Sequence, residues 1–419
     1  MPVTTSIANL TAAGPIVGSE QIPIDQISGG SYQTFKLSTS ALAAGMAYGS
    51  SGAAETASGL YNISAITLPH WRAAVARVRS GTGRGRLVVI SDSTSTGAGA
   101  GSGGSTNTNN AYSKSWVTQL SKLLSVYVPT NDNSFLGDQN IVGSGQQTNY
   151  NTYDPRVTVG GGWSVATGIG GLGANFYSCG STGTVSFTPS GSIDSVTVWY
   201  TLSPGLGSFT NNFDGGSSVG TINQNGTAGY TSTTYTATAG THTFNMVWSS
   251  GTLYLSGALA YLSTTPAIDF YHSGWFSAFA AQFNNASTAY APLSALPIVA
   301  PDLTIICLTI NDSNASIPIS TYTANIQAII TAAKLTGDCL LMVGAPSNST
   351  QATNGTLATY VTALKGLAVL NNCGLIDISA RWVSYAVTNP LMPYSDTLHP
   401  GAMGYQDIAQ AVCQVLSAP

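Results

Sequence analysis

The chain has 419 residues, with 12 Lys and Arg against 16 Asp and Glu, and charged residues are only 7% of the total. That is far below the roughly 25% usual for soluble proteins. No Lys or Arg occurs between Arg156 and Lys334, so nucleic acid is excluded as a partner, and no apolar stretch reaches the ~18 residues of a membrane-inserted helix.

The first ten residues, MPVTTSIANL, have neither a basic region nor an apolar core, so no signal peptide is expected. Residues 1–60 are polar and weakly patterned. Within them QIPIDQISGGSYQTFKLSTSAL reads as two short strands around a Gly-Gly turn, then a short helix. So few apolar residues cannot build a core, and a neighbouring chain or larger assembly is expected. Residues 67–80 read as an amphipathic helix with Trp71, Ala74, Val75 and Val78 at helical spacing. The basic cluster Arg72, Arg77, Arg79, Arg84 and Arg86 reads as a solvated helix and loop. LVVIS (87–91) is a strand and 112–126 a helix, which makes one βα unit.

From about 135 to 265 the pattern changes to short β-type runs, such as SVTVWYTL (195–202) and LYLSGALAYL (253–262), separated by Gly-rich turns. Such a run of strands predicts an antiparallel sandwich or jelly roll. After Pro266 strands and helices alternate again. Strands are expected at 267–273, 302–310, 339–347 and 374–379, and helices at 274–283, 322–335, 357–371 and 404–416. This alternation predicts a parallel sheet with helices on both faces. The expected organisation is an N-terminal segment (1–60), an α/β domain in two parts (61–134 and 266–419) and an all-β insertion (135–265).

The five cysteines (179, 307, 339, 373, 413) read as small buried hydrophobes. No Cys/His spacing suggests a metal, and no metal or organic cofactor is expected.

Three stretches carry chemistry. Ser93 follows the first core strand and precedes a Gly-rich run, 96–105. That run lacks the Lys of a phosphate loop. Asn311 ends the apolar run 302–310, where a carboxamide can donate to an oxyanion, while Asp312 suits a structural hydrogen bond. Asp396 lies three residues before His399, so one turn can present both. A serine hydroxyl, an imidazole that removes its proton and a carboxylate that orients the imidazole are the parts of acyl transfer.

Together these stretches resemble the SGNH (GDSL-type) hydrolase family over about 85–130 and 265–419. The family's Gly-Asp-Ser stands here as Ser91-Asp92-Ser93, its Gly-x-Asn-Asp as Thr309-Ile310-Asn311-Asp312, and its Asp-x-x-His-Pro as Asp396-Thr397-Leu398-His399-Pro400. The resemblance implies a three-layer α/β fold with Ser93 as nucleophile, His399 as base, Asp396 as its orienter, and Asn311 with the Ser93 N–H as oxyanion donors. A further backbone donor is implied after the second strand, at Ser277 or Gly274, with Gly145 as a competing match. Three family glycines are replaced, by Ser91, Thr309 and Ser277, which predicts backbone strain or a narrower pocket there. His272 and Trp275 are candidates for the substrate pocket, the alternatives being a strand-end histidine bonded to a neighbour for His272 and core packing for Trp275.

The N-terminal stretch has a short resemblance to bacteriophage tail proteins. The expectation is therefore an O-acetyl esterase on a virion tail, acting outside the cell on an acylated bacterial surface polysaccharide. It would be partnered by other tail proteins and homo-oligomeric, with a trimer as one form. A non-catalytic receptor-binding tail protein on the same fold, and a free bacterial lipase or carbohydrate esterase, are the alternatives.

Overall fold

In the computed structural model, residues 21–28, 31–38, 59–64, 67–102, 108–136, 150–167, 170–348 and 356–417 are described. The chain divides into two units, Met1–Glu55 and Thr56–Pro419. In the first, β1 (Gln21–Ser28) and β2 (Ser31–Ser38) pair antiparallel from Gln21↔Ser38 to Ser28↔Ser31, the hairpin expected around Gly29-Gly30. The short helix expected after it lies outside the described residues.

The second unit opens with β3 (Leu60–Tyr61), helix α1 (Pro69–Arg79) and β4 (Gly85–Ser91). A short helix α2 (Ser93–Thr96), helix α3 (Trp116–Leu124) and β5 (Thr130–Asn131) follow. Next come β6 (Ser134–Leu136), β7 (Val157–Thr167), β8 (Asn175–Phe187), β9 (Ile193–Leu202) and β10 (Ser208–Phe213). They are continued by β11 (Gly220–Asn223), β12 (Gly229–Gly240), β13 (Phe244–Ser250) and β14 (Leu253–Tyr261). The chain then returns to α/β alternation with β15 (Ile268–Gly274), α4 (Pro292–Val299), β16 (Leu303–Cys307), α5 (Ile310–Asn314) and α6 (Ile319–Ala333). β17 (Asp338–Val343), α7 (Thr356–Leu370), β18 (Gly374–Asp377) and α8 (Ala402–Leu416) complete it.

The seven-stranded sheet has the order β3-β18-β17-β16-β4-β15-β5, and only β3 is antiparallel to its neighbour. The side-chain period of two splits each strand between two cores. Leu87, Val89, Ile305 and Leu340 meet Trp71 of α1, Trp116 of α3 and Tyr405 of α8 on one face. Val88, Ile90, Ile306 and Leu341 meet α4, α6 and α7 on the other. Helices therefore cover both faces, as the βα alternation predicted. Counted from β4, the five main strands run 2-1-3-4-5, so connections leave in opposite directions at β4 and β16. A doubly wound sheet forms its binding crevice at such a switch point, beyond the carboxyl ends of the strands.

Strands β6 to β14 form one antiparallel nine-stranded sheet, not the two separately bonded sheets of a simple sandwich. It forks at β8. Cys179 of β8 pairs with β14, which carries β9 and β12, whereas Thr184–Phe187 pair with β13, which carries β10 and β11. Val196, Val198 and Tyr200 from one arm share a core with Phe209, Phe244 and Met246 from the other. Trp199, on the opposite face of β9 from Tyr200, joins the core of the α/β part instead.

The basic cluster is more structural than the sequence suggested. Arg77 pairs with Asp302 and Arg84 with buried Asp269. The five cysteines are buried free thiols, in line with the sequence reading. Among the described residues no helix is long and apolar enough to cross a membrane.

Candidate active site

Three neighbouring strands end level with one another, because Ser91 of β4 is in register with Gly274 of β15 and Cys307 of β16. Each then turns off the sheet within four residues. The polar residues that follow are therefore delivered to one place: Ser93, the turn 275–278, and Asn311. The Trp275 N–H donates to Ser91 O at 3.1 Å and ties the second connection to the first.

Ser93 is the first residue of α2 and is 2% exposed. Asp92 caps this helix, with its Oδ1 accepting from Thr94 N at 2.9 Å and Thr94 Oγ1 at 2.7 Å. Its carboxyl is raised above the usual range by burial, against the hydrogen bonds from Thr94. As the first residue of a helix, Ser93 has a backbone N–H with no acceptor in a preceding turn.

Ser93 Oγ lies 2.9 Å from His399 Nε2, and His399 Nδ1 lies 2.8 Å from Asp396 Oδ2. Asp396 Oδ1 accepts the backbone N–H groups of Leu398 at 2.7 Å and His399 at 2.6 Å. Burial pushes the Asp396 carboxyl up, but the hydrogen bonds from His399 and Leu398 prevail and hold it at about 2. An ionised carboxylate only accepts, so Nδ1 must carry a proton. In the neutral imidazole Nε2 is then bare and can accept the Ser93 hydroxyl proton, as a general base requires.

One glycine of the run after Ser93 serves this loop. Gly99 has φ +91°, and a Cβ there would lie 2.6 Å from Ser395 Oγ, 2.7 Å from Pro400 O and 2.8 Å from His399 Cβ. The glycine lets the Ser93 connection and the Asp396–His399 loop touch. The sequence reading dismissed a phosphate loop here but missed this close approach.

Asn311 departs from expectation in its setting. β16 stops at Cys307, three residues before the end of the predicted strand, and Asn311 lies in the first turn of α5. Its Nδ2 donates to Ala278 O at 3.0 Å, which leaves the amide a second N–H. Asp312 has the structural part assigned to it: Oδ2 accepts from Ala280 N at 3.0 Å. Burial raises its carboxyl to about 6, with the charge of Asp92 acting the same way.

The predicted helix over 274–283 is confined to Ala280–Phe283, and residues 275–278 form a turn closed by Ala278 N–H to Trp275 O at 3.1 Å. Ser277 adopts φ +62°, the left-handed conformation that a glycine would take without strain. Ser277 is exposed in the same turn that Asn311 holds and that carries Phe276 against His399. Gly274, by contrast, is still in β15, and a Cβ there would meet Thr96 Cγ2 at 2.8 Å. Close packing accounts for that glycine. Gly145 lies outside the described residues.

The two pocket candidates are both buried. Trp275 is 7% exposed and belongs to the apolar core. His272 is buried next to Tyr112, and burial depresses its imidazole to about 3. It lies in β15 at the level of Val89, two residues short of Ser91. The residue that does face the imidazole is half-buried Phe276, whose ring stacks on His399 at 5.8 Å. Its sequence position beside Trp275 was the available signal, but only the turn decides which of the two points outward. Among the described residues no three His, Cys, Asp or Glu gather as a metal site.

The model of the GDSL-like lipase/acylhydrolase family matches residues 227–406, a range that holds Asn311, Asp396 and His399 and begins after Ser93. A peptidoglycan O-acetylesterase structure is similar with a TM-score of 0.64 and 17% identity, covering 85% of this chain and 97% of its own. Family two carbohydrate esterases from Clostridium thermocellum, in complex with cellohexaose, and from Cellvibrio japonicus align with TM-scores of 0.29 and 0.27. They are 12% and 14% identical and cover 60% and 63% of this chain and 97% and 96% of their own. No curated protein sequence matches the chain.

Proposed function

We propose that this chain carries a GDSL-like lipase/acylhydrolase (SGNH) domain and is a serine esterase that removes O-acetyl groups from a polysaccharide. The observation that carries the reading is the unbroken relay from Ser93 through His399 to Asp396, with contacts of 2.9 and 2.8 Å.

Ser93 Oγ attacks the ester carbonyl carbon as Nε2 of His399 takes its proton. Asp396 stabilises the imidazolium that results. The tetrahedral oxyanion is held by the Ser93 N–H, the Ser277 N–H and the second N–H of Asn311, donors fixed in place before charge develops. The imidazolium then gives its proton to the leaving sugar oxygen. A water deprotonated by His399 attacks the acyl-enzyme and releases acetate and Ser93.

Glycan as the substrate class is supported by the fold shared with a peptidoglycan O-acetylesterase. The uncharged polar composition agrees with action outside the cell. We extend the proposal to a virion tail, where residues 1–60 would join a homo-oligomer, in trimeric form, to other tail proteins. The intact relay favours catalysis over a purely receptor-binding protein.

The test is acetate release from acetylated bacterial surface polysaccharides by wild type and Ser93→Ala. Release should drop by at least about 10³-fold in the variant with the fold kept. Equal release by both would end the esterase reading. Mass measurement in solution tests the oligomer, and a monomer would remove the trimeric tail from the proposal.

A further inference from the structure

A cavity of about 500 Å³ lies at the opposite end of β4 from Ser93. From Arg86 to Ser93 the chain advances seven residues, roughly 20 Å at the strand rise. One wall is the amino-terminal edge of the parallel sheet, with Arg77, Arg84 and Arg86. The other is the outward face of β9, β12 and β14. The size falls within the range of small-molecule sites.

The charges in this cleft are not evenly matched. Asp302 takes Arg77 Nη2 on both oxygens, at 2.9 and 3.0 Å, and also the Arg86 backbone N–H at 2.9 Å. Asp269 is engaged by the fork of Arg84 through Nε at 2.8 Å and Nη2 at 2.5 Å. Both carboxylates are thus committed to two of the guanidinium groups or to backbone. The third guanidinium, on exposed Arg86, donates through Nη1 to Val299 O at 2.8 Å. A guanidinium has five N–H donors in a planar fork that fits a carboxylate. Arg86 therefore brings one cation with donors to spare into a chain of net charge −4.

The facing wall supplies different chemistry. Alternation along β9 and β12 turns Thr197, Ser232 and Thr234 into the cleft, and Thr197 and Thr234 share a hydrogen bond of 2.8 Å. Half-buried Tyr261 stands beside them with the Arg84 guanidinium 4.6 Å from its ring centroid. Hydroxyl rows beside an aromatic ring suit the hydroxyls and C–H faces of a sugar ring. A spare guanidinium suits a carboxylate on that sugar.

We propose that this cleft is a second glycan site, separate from the ester-cleaving end, that binds a carboxylate-bearing sugar through Arg86 and the hydroxyls of β9 and β12. It goes beyond the esterase reading and does not depend on it.

Calorimetric titration of the full chain with a galacturonic acid hexamer tests the site. Neutral cello-hexamer and inorganic phosphate serve as the comparison probes. The acidic hexamer should bind, and Arg86→Ala should weaken it at least tenfold while the melting temperature stays close to wild type. Thr234→Trp, which fills the cleft from the opposite wall without touching the cations, should weaken it as much. Both variants should keep wild-type acetate release from a soluble ester, so that loss of this site and loss of esterase activity are told apart. Four results overturn the proposal: no binding of the acidic hexamer, binding untouched by both variants, neutral hexamer bound equally well, or phosphate bound as tightly as the acidic hexamer.

Discussion

The ring of Phe276 lies on the imidazole of His399, with centroids 5.8 Å apart and planes inclined by 27°. Asp396 fixes one edge of that imidazole and Ser93 meets the other, and Phe276 restrains a face that neither holds. An aromatic pair of this kind is worth about 0.5–1.5 kcal/mol, a factor of roughly 2–10 in rate if it is lost on the way to the transition state. Phe276→Ala should lower kcat on p-nitrophenyl acetate by that factor, and Phe276→Tyr should restore it. Unchanged kcat in the alanine variant would remove Phe276 from the positioning of His399.

Gly99 gives a sharper expectation. A methyl group at this position would sit within 2.8 Å of Ser395 Oγ, Pro400 O and His399 Cβ, and φ +91° is unfavourable for alanine. The loop carrying Asp396 and His399 must move to admit it. A displacement near 1 Å at a catalytic group can cost about 10²-fold. Gly99→Ala should therefore lose at least about tenfold in kcat while far-ultraviolet circular dichroism stays native. Wild-type kcat in a folded variant would show that the loop does not depend on this contact.

Ser277 keeps a glycine conformation with a serine side chain, at φ +62°. Left-handed backbone costs a non-glycine residue roughly 1 kcal/mol. Ser277→Gly should raise the unfolding free energy by about 0.5–1 kcal/mol, read from urea melts. Esterase activity should stay within about twofold, because the proposed donor is a backbone N–H. A loss of activity beyond tenfold would mean that the Ser277 hydroxyl itself takes part.

The sequence made the framework of this site visible because buried parallel strands are continuous apolar runs. LVVIS and LTIIC announce β4 and β16, and the polar residues just beyond them announce Ser93 and Asn311. Asp396 and His399 were legible because three residues of spacing fit one turn. What escaped were features set by the level of neighbouring strands. The apolar character of Leu308 and Ile310 extended the predicted strand past Cys307, although the chain turns there to form α5. The turn at 275–278, tied to Ser91 O, buries Trp275 and brings Phe276 to His399, a choice that periodicity cannot make. Hydrophobic alternation also gave the strands of the β-rich region but not their fork at β8, which depends on which strands share an edge.

Two carboxyls near the site bend the pH dependence of stability in opposite directions. Asp396 is held at about 2 in the folded chain, below its ordinary 3.8. Its contribution is complete above about pH 4 and is lost as pH falls through 2. Asp312 is raised to about 6, chiefly by burial, so the folded state binds its proton more tightly than the unfolded chain. Carrying it ionised costs stability above pH 6, and that cost is relieved as pH falls from 6 towards 4. Buried Asp92 is shifted in the same direction. The melting temperature of the wild type should therefore rise from pH 7 to about 4.5 and fall again towards pH 2. In Asp312→Asn the carboxamide oxygen can still accept from Ala280 N, but nothing titrates. That variant should melt higher than wild type at pH 8 and show a shallower rise between pH 7 and 4.5. Thermal melts across this range decide the matter: an asparagine variant with the wild-type slope would show that Asp312 does not carry the acid-side gain.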